Sequence, residues 1–319
     1  MNQLERKKSP AVMFRLLKRE CQEHRGTFIY VPLGITAFLL AVMVFVLLSI
    51  HFGADTLHIN VTTDRSDGVG VTEKSVVLGG YWEERLRAFA AMSPSKRESE
   101  LARVQVAASS PLFLSLWLVI AFYLLGSLYD DRKDRSILFW KSMPVSDAMT
   151  VASKLLAGLI VAPLIYFLCS ALLHLCLLTA SSLSALSYDF EVSGTLWQSA
   201  NVLGNWLTMA GFHLLTVVWC LPFYAWLLFT SAWARSVPLA IALAGPIAVG
   251  FIDYFLIPGN VIGAWIVEHS SPLGYREELG RDLMVASARM ISVELIVSLA
   301  IAAGLIGGAV YLRRRADEI

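Results

Sequence analysis

The chain has 319 residues, of which 56% are hydrophobic and only 16% charged, and its formal net charge is +1. Soluble domains carry about 25% charged residues, so a mean hydropathy of +0.62 argues against a soluble helical protein with an enlarged core. A net charge near zero gives no global attraction for nucleic acid. The four cysteines, Cys21, Cys169, Cys176 and Cys220, form no CxxC pair or His/Cys cluster, which argues against zinc, redox-dithiol and disulfide-framework readings.

A basic N-terminal segment, 1–27, carries Arg6, Lys7, Lys8, Arg15, Lys18, Arg19 and Arg25. The apolar run behind it is too long for a signal h-region and ends without a small-residue cleavage site, which predicts a retained first transmembrane helix. Six runs reach the ~20 residues needed to cross a hydrocarbon core about 30 Å thick. They lie near 28–50, 111–128, 154–179, 202–230, 237–257 and 291–312. Asn201, Asn205 and Pro222 disturb the fourth, as an interfacial start or a kink.

Lys/Arg bias orients these spans. The N-terminal segment, the loop with Arg132, Lys133, Arg135 and Lys141, the turn with Arg235 and the tail Arg313-Arg314-Arg315 fall on one side. The 180–200 segment has no Lys or Arg, and 258–290 balances Arg276, Arg281 and Arg289 against Glu268, Glu277, Glu278 and Asp282. Both termini are therefore expected in the cytoplasm, with 258–290 an extracytoplasmic re-entry segment.

The first outer loop, 51–110, is long enough to fold. Leu57, Ile59 and Val61 alternate with polar residues as a strand would, and Asp67-Gly68 marks a turn. Tyr81 to Ala91 reads as a helix with apolar positions Tyr81, Trp82, Leu86 and Phe89, and Ser93-Pro94 starts another as N-cap and first residue. An ordered extracytoplasmic cap is expected.

After the second span comes a dense charge cluster, Asp130, Asp131, Arg132, Lys133, Asp134 and Arg135. Behind it stand Ile137, Leu138, Phe139 and Trp140, then Ser142, Met143, Pro144, Val145, Ser146 and Asp147. Pro144 cannot continue a preceding helix, and Ser146 or Asp147 can cap the next one. The pattern describes a short surface helix with one apolar side, or an ordinary positive-inside loop.

This segment, 129–153, resembles the coupling region of ABC-2-type transporter permeases. In that family an acidic stretch after the second helix precedes a segment similar to Ser136 to Trp140, Ser142 to Ser146 and Ser153-Lys154-Leu155-Leu156. Arg135 departs from it, standing where many members have glycine. Ser231, Arg235 and Ser236 resemble a second family turn, and Phe14 to Arg25 resembles the amphipathic elbow before the first helix. The resemblance covers most of the chain and implies an all-α membrane protein: six transmembrane helices, elbow helix, cytoplasmic coupling helix and a sizeable extracytoplasmic loop after helix 1.

The resemblance also implies a role. Asp130, Asp131, Asp134, Ile137, Leu138, Phe139, Trp140, Ser142, Pro144, Val145 and Ser146 would couple the permease to a separate ATPase. The chain holds no GxxxxGK(S/T) phosphate cradle, so ATP and Mg would be bound by the partner, with no cofactor in this chain. The implied assembly is two permeases, two ATP-binding subunits and membrane lipid, in a bacterial inner membrane and working as an exporter.

The ionisable residues at depth, His174, His213, Asp253 and Glu294, are candidates for a substrate pathway or for structural packing. Pro163, Pro222 and Pro246 predict kinks, and Ala300, Gly304 and Gly308 a close-packing stripe, for packing within the subunit or for a dimer contact. A membrane-embedded enzyme is the competing reading, yet no HExxH, GxSxG, paired histidines or other catalytic or metal constellation stands in the sequence. A non-catalytic assembly factor would require no charged coupling loop.

Overall fold

A computed structural model describes residues 3–52, 58–64, 71–138, 145–186, 190–256, 259–270 and 292–315. Among the described residues it is helical apart from one hairpin, and six helices are long and apolar enough to cross a membrane. Helix α1 covers Gln3–Glu23 and leads through a π turn, Gly26–Tyr30, into α2, Val31–Phe52. The antiparallel strands β1, His58–Asp64, and β2, Val71–Val77, pair from His58 with Val77 to Asp64 with Val71. The strand expected around Ile59 and Val61 is therefore present, whereas Leu57 and the Asp67-Gly68 turn lie outside the described residues.

Helix α3 is Leu78–Ala90, and α4, Pro94–Lys133, runs unbroken for 40 residues. At 1.5 Å per residue that is about 60 Å, twice a hydrocarbon core. Pro111 interrupts nothing, because the Ser110 hydroxyl donates to Ala107 O at 2.8 Å, the carbonyl that a proline N–H cannot reach. Helix α5, Asp147–Leu156, passes through a π turn, Ala157–Val161, into α6, Ala162–Leu186. Another π turn, Ser193–Trp197, leads to α7, Val202–Trp219.

The run expected to span 202–230 is two helices. Cys220 (φ −83, ψ 6) leaves helical geometry, and α8, Leu221–Trp233, restarts with Pro222 in its first turn. A proline has no N–H to give the preceding turn, so the sequence breaks there instead of bending. Pro246, by contrast, stays inside α9, Pro238–Leu256. Its orphaned carbonyl, Ala242 O, accepts from Trp226 Nε1 at 3.0 Å. Among the described residues, helices α10, Val261–Ser270, and α11, Val293–Arg315, follow.

The contacts divide the chain into two units. In the first (Met1–Val31, Leu114–Phe167, Leu207–Ile319), α8 packs along α11. The buried face of α11 is Leu295, Ser298, Ala302, Ala309 and Arg313. Of the expected small-residue stripe, only Gly308 packs closely within this unit. A Cβ on Gly308 would meet the Phe229 ring at 2.9 Å, but one on Gly304 would meet nothing within 4 Å, and Ala300 is exposed.

In the second unit (Pro32–Phe113, Leu168–Trp206), Leu86 of α3 is buried with Leu178, Ala185, Leu196 and Ala200. Trp82, Phe89, Leu101, Phe190 and Val192 pack around them. The helix expected over 81–91 thus has an ordered apolar face with a core of its own.

Candidate functional site

The segment singled out from the sequence begins at the end of α4. Asp130 is exposed, Asp131 and Arg132 are buried, and Lys133 and Asp134 are exposed. The helix stops because Arg135 takes φ +60, the left-handed conformation that favours glycine. Its N–H still bonds Arg132 O at 3.2 Å, closing the last turn. One further helical turn follows at 136–138, with Ile137 buried and Leu138 55% exposed.

Phe139, Trp140, Ser142 and Pro144 lie outside the described residues. Val145 is half-buried and Ser146 exposed. Of the two expected candidates, Ser146 and Asp147, it is Ser146 that caps α5, its hydroxyl accepting from Met149 N–H at 3.2 Å.

The sequence reading groups the acidic residues of α4 together, and the structure separates them. Asp131 turns inward to a charge network joining four parts of the chain. Its Oδ2 accepts from Arg313 Nη1 of α11 at 3.0 Å, and its Oδ1 accepts from Lys154 Nζ of α5 at 3.3 Å. Lys154 also reaches Glu20 Oε1 of α1 at 3.2 Å. Glu20 Oε2 in turn accepts from Tyr123 Oη of α4 at 2.8 Å. Arg313 Nε lies 3.5 Å from Asp147 Oδ1 at the start of α5.

Glu20, Asp131, Lys154 and Arg313 are each at most 6% exposed. Buried charges are tolerated only when paired and hydrogen-bonded, so these four side chains must fold together.

Two details explain the fit. The π turn at Ala157–Val161 brings Gly158 against the Tyr123 ring, where a Cβ would sit 3.2 Å from Cδ1. His24 stands edge-on to the same ring, centroids 4.8 Å apart. Burial pushes the His24 imidazole below its ordinary pKa, outweighing the nearby Glu20 carboxylate. At neutral pH its 3.9 Å approach to Glu20 is therefore a polar contact between a neutral ring and a carboxylate.

Arg132 faces another partner. Its Nη2 donates to Ser231 O at 2.8 Å and Ala234 O at 2.6 Å, carbonyls at the C-terminus of α8. A cation there complements the helix dipole and satisfies orphan carbonyls. The Ser231 hydroxyl accepts from Leu128 N–H and Tyr129 N–H, each at 3.0 Å. The second turn singled out from the sequence, at Ser231, Arg235 and Ser236, is thereby clamped to the end of α4. Val237 closes it at φ +39, a strained conformation for a β-branched residue.

Of the candidate pathway residues, His174, His213 and Asp253 have polar partners of their own. His174 is buried, with Nε2 2.9 Å from Gln105 O and 3.4 Å from Ser109 Oγ. His213 is half-buried, its Nδ1 2.7 Å from Met209 O. Asp253 is buried as a helix cap, its Oδ2 accepting from Gly263 N–H in the first turn of α10 at 2.8 Å. Glu294 is exposed in the first turn of α11.

Sequence reasoning missed His269, which is 1% exposed between the rings of Trp219 (4.4 Å) and Trp265 (4.5 Å). Its Nε2 lies 3.0 Å from Ser298 Oγ of α11. Trp265, four residues before it in the same short helix, was the available signal. Among the described residues no group of His, Cys, Asp or Glu could hold a metal ion. No family model, no curated protein and no solved structure matches the chain.

Proposed function

We propose that this chain is the membrane-spanning subunit of an ATP-driven exporter of the ABC-2 type. It works as a permease dimer, coupled through 130–146 to two copies of a separate ATPase. The observation that carries the reading is the end of α4. There a left-handed turn at Arg135, where many members of the resembled family have glycine, is followed by a short helical turn with Leu138 exposed. That geometry suits an apolar side chain docking in a partner's groove.

The network supplies a route for the coupled motion. A displacement at Asp134 to Leu138 is passed by the adjoining Asp131 and Arg132 to α1, α5, α8 and α11. Asp130, Asp134 and Leu138 are then the surface contacts, while Asp131 transmits. In this reading the joined helix ends face the cytoplasm of a bacterial cell, ATP and Mg belong to the partner, and cargo leaves on the opposite side.

Co-purification with an ATP-binding subunit encoded beside this chain tests the proposal. The assembled complex should hydrolyse ATP, and Leu138→Glu or Trp140→Glu should abolish hydrolysis while the permease stays in the membrane. An intact, fully active complex from both variants would refute the docking role. ATP hydrolysis by this chain alone would refute the division of labour. In intact cells, an impermeant thiol reagent should label Ser95→Cys and leave Ser146→Cys unlabelled; the reverse would invert the orientation.

A further inference from the structure

Helix α1 packs beside α5, and Leu16 and Glu20, one turn apart, lie on its buried side. The opposite side carries charge of one sign only. Ala11, Phe14, Arg15, Lys18 and Gln22 recur at the three- and four-residue spacing of a single helical face, and all are exposed. Arg25, just beyond the helix, continues that spacing and is exposed too.

The nearby acids are engaged elsewhere. Glu20 meets Lys154 at 3.2 Å, and Glu23 meets Arg19 at 3.7 Å. Arg15, Lys18 and Arg25 have no counter-charge among the described residues. Like charges three positions apart, as Arg15 and Lys18 are, repel one another unless an anion stands beside them.

Depth identifies the anion. The buried network holds Glu20 at the level of Arg313, where the apolar run of α11 ends. At 1.5 Å of rise per residue, Lys18 lies within about 3 Å of that level, and Arg15 and Arg25 within about 8 Å. The headgroup layer adds about 5–7 Å to each side of a bilayer's hydrocarbon. Arg25 also stands directly before Gly26, the first residue of a span-length apolar helix. Long cationic side chains at this depth reach lipid phosphate. Phe14, 69% exposed and one turn from Lys18, adds an aromatic ring at the same interface.

We propose that this face of α1 binds the headgroups of anionic phospholipids, with Lys18 at its centre and Arg15 and Arg25 flanking it. A phosphatidylglycerol headgroup brings the net negative charge that the face lacks, whereas phosphatidylcholine carries a cation of its own. An acidic protein would match the charge but not the depth. The site is independent of the transporter reading.

Native mass spectrometry of the detergent-purified full chain tests it, with phosphatidylglycerol as the added probe and phosphatidylcholine as the zwitterionic comparison. The parent should bind phosphatidylglycerol more tightly. Arg15→Gln, Lys18→Gln and Arg25→Gln should each weaken that binding roughly fivefold, the factor for one cation beside an anionic surface. Lys18→Arg, which keeps the charge, should bind as the parent does. Lys96→Gln, exposed at the far end of α4, should do the same. Equal affinity of the parent for the two lipids would overturn the proposal and leave the face to an acidic protein. Losses in Lys96→Gln as large as in Lys18→Gln would overturn it as well, since net charge alone would then set the binding. The altered side chains are exposed, so every variant should melt with the parent. Should one glutamine variant melt early, the other two decide: unchanged affinity in both refutes the site.

Discussion

Asp131 and Arg313, 182 positions apart in the chain, meet side chain to side chain at 3.0 Å, and both are buried. One lies at the end of the second spanning helix and the other at the end of the last. Their pairing requires both helices to finish at the same level, and Lys154 with Glu20 brings α5 and α1 to that level too. An ion network thus ties α1, α4, α5 and α11 together at these positions.

Replacing Asp131 with alanine should destabilise the purified protein by about 3–5 kcal/mol, the loss for breaking a buried ion pair from one side. Arg313 and Lys154 would be left with Asp147 and Glu20 alone. Thermal unfolding in detergent measures this. A surface docking residue would leave the melting temperature where it was, so an unchanged melt would remove Asp131 from the architecture.

Arg135→Gly should raise stability by about 1 kcal/mol, because a left-handed residue with a side chain is strained by roughly that amount. Arg135→Ala keeps the Cβ and should gain nothing. Equal melting of the glycine and alanine variants would show that backbone strain is not what limits this turn.

His24 makes stability depend on pH in a defined direction. Its folded pKa lies below the ordinary histidine value of 6.5, so the unfolded chain takes up the proton more readily. Stability is fully present above the unfolded value and falls as pH drops through it toward the folded one. His24→Phe keeps an aromatic ring beside Tyr123 and removes this titration. The variant should lose less stability than the parent between about pH 7 and pH 5.5; parallel losses would assign the acid sensitivity to the carboxylates.

Two glycines of α11 should respond oppositely. Gly304→Ala meets open space and should stabilise by up to ~1 kcal/mol through helix propensity. Gly308→Leu drives a side chain into the Phe229 ring and should destabilise by about 1–3 kcal/mol. If Gly308→Leu melts as the parent does, α8 and α11 do not pack as closely as this contact requires.

By itself the sequence determined that six helices are long and apolar enough to cross a membrane, which part of the chain each occupies, and that Ser146 or Asp147 caps the helix after the charge cluster. These follow from composition and short-range chemistry, since a run of about 20 apolar residues or a capping hydroxyl is legible without knowing what lies beside it. Only the tertiary structure decided which charges in the cluster after α4 face outward. Asp130 and Asp131 are equivalent as letters, but on a helix they point 100° apart. One meets water while the other meets Arg313 and Lys154. The same holds for the glycines of α11, identical in the sequence and separated by whether Phe229 stands opposite. His269 is the extreme case: its neighbours, Trp219 and Ser298, come from helices far apart in the chain. Burial and pairing are properties of what folding brings alongside a residue, and no periodicity along the chain records them.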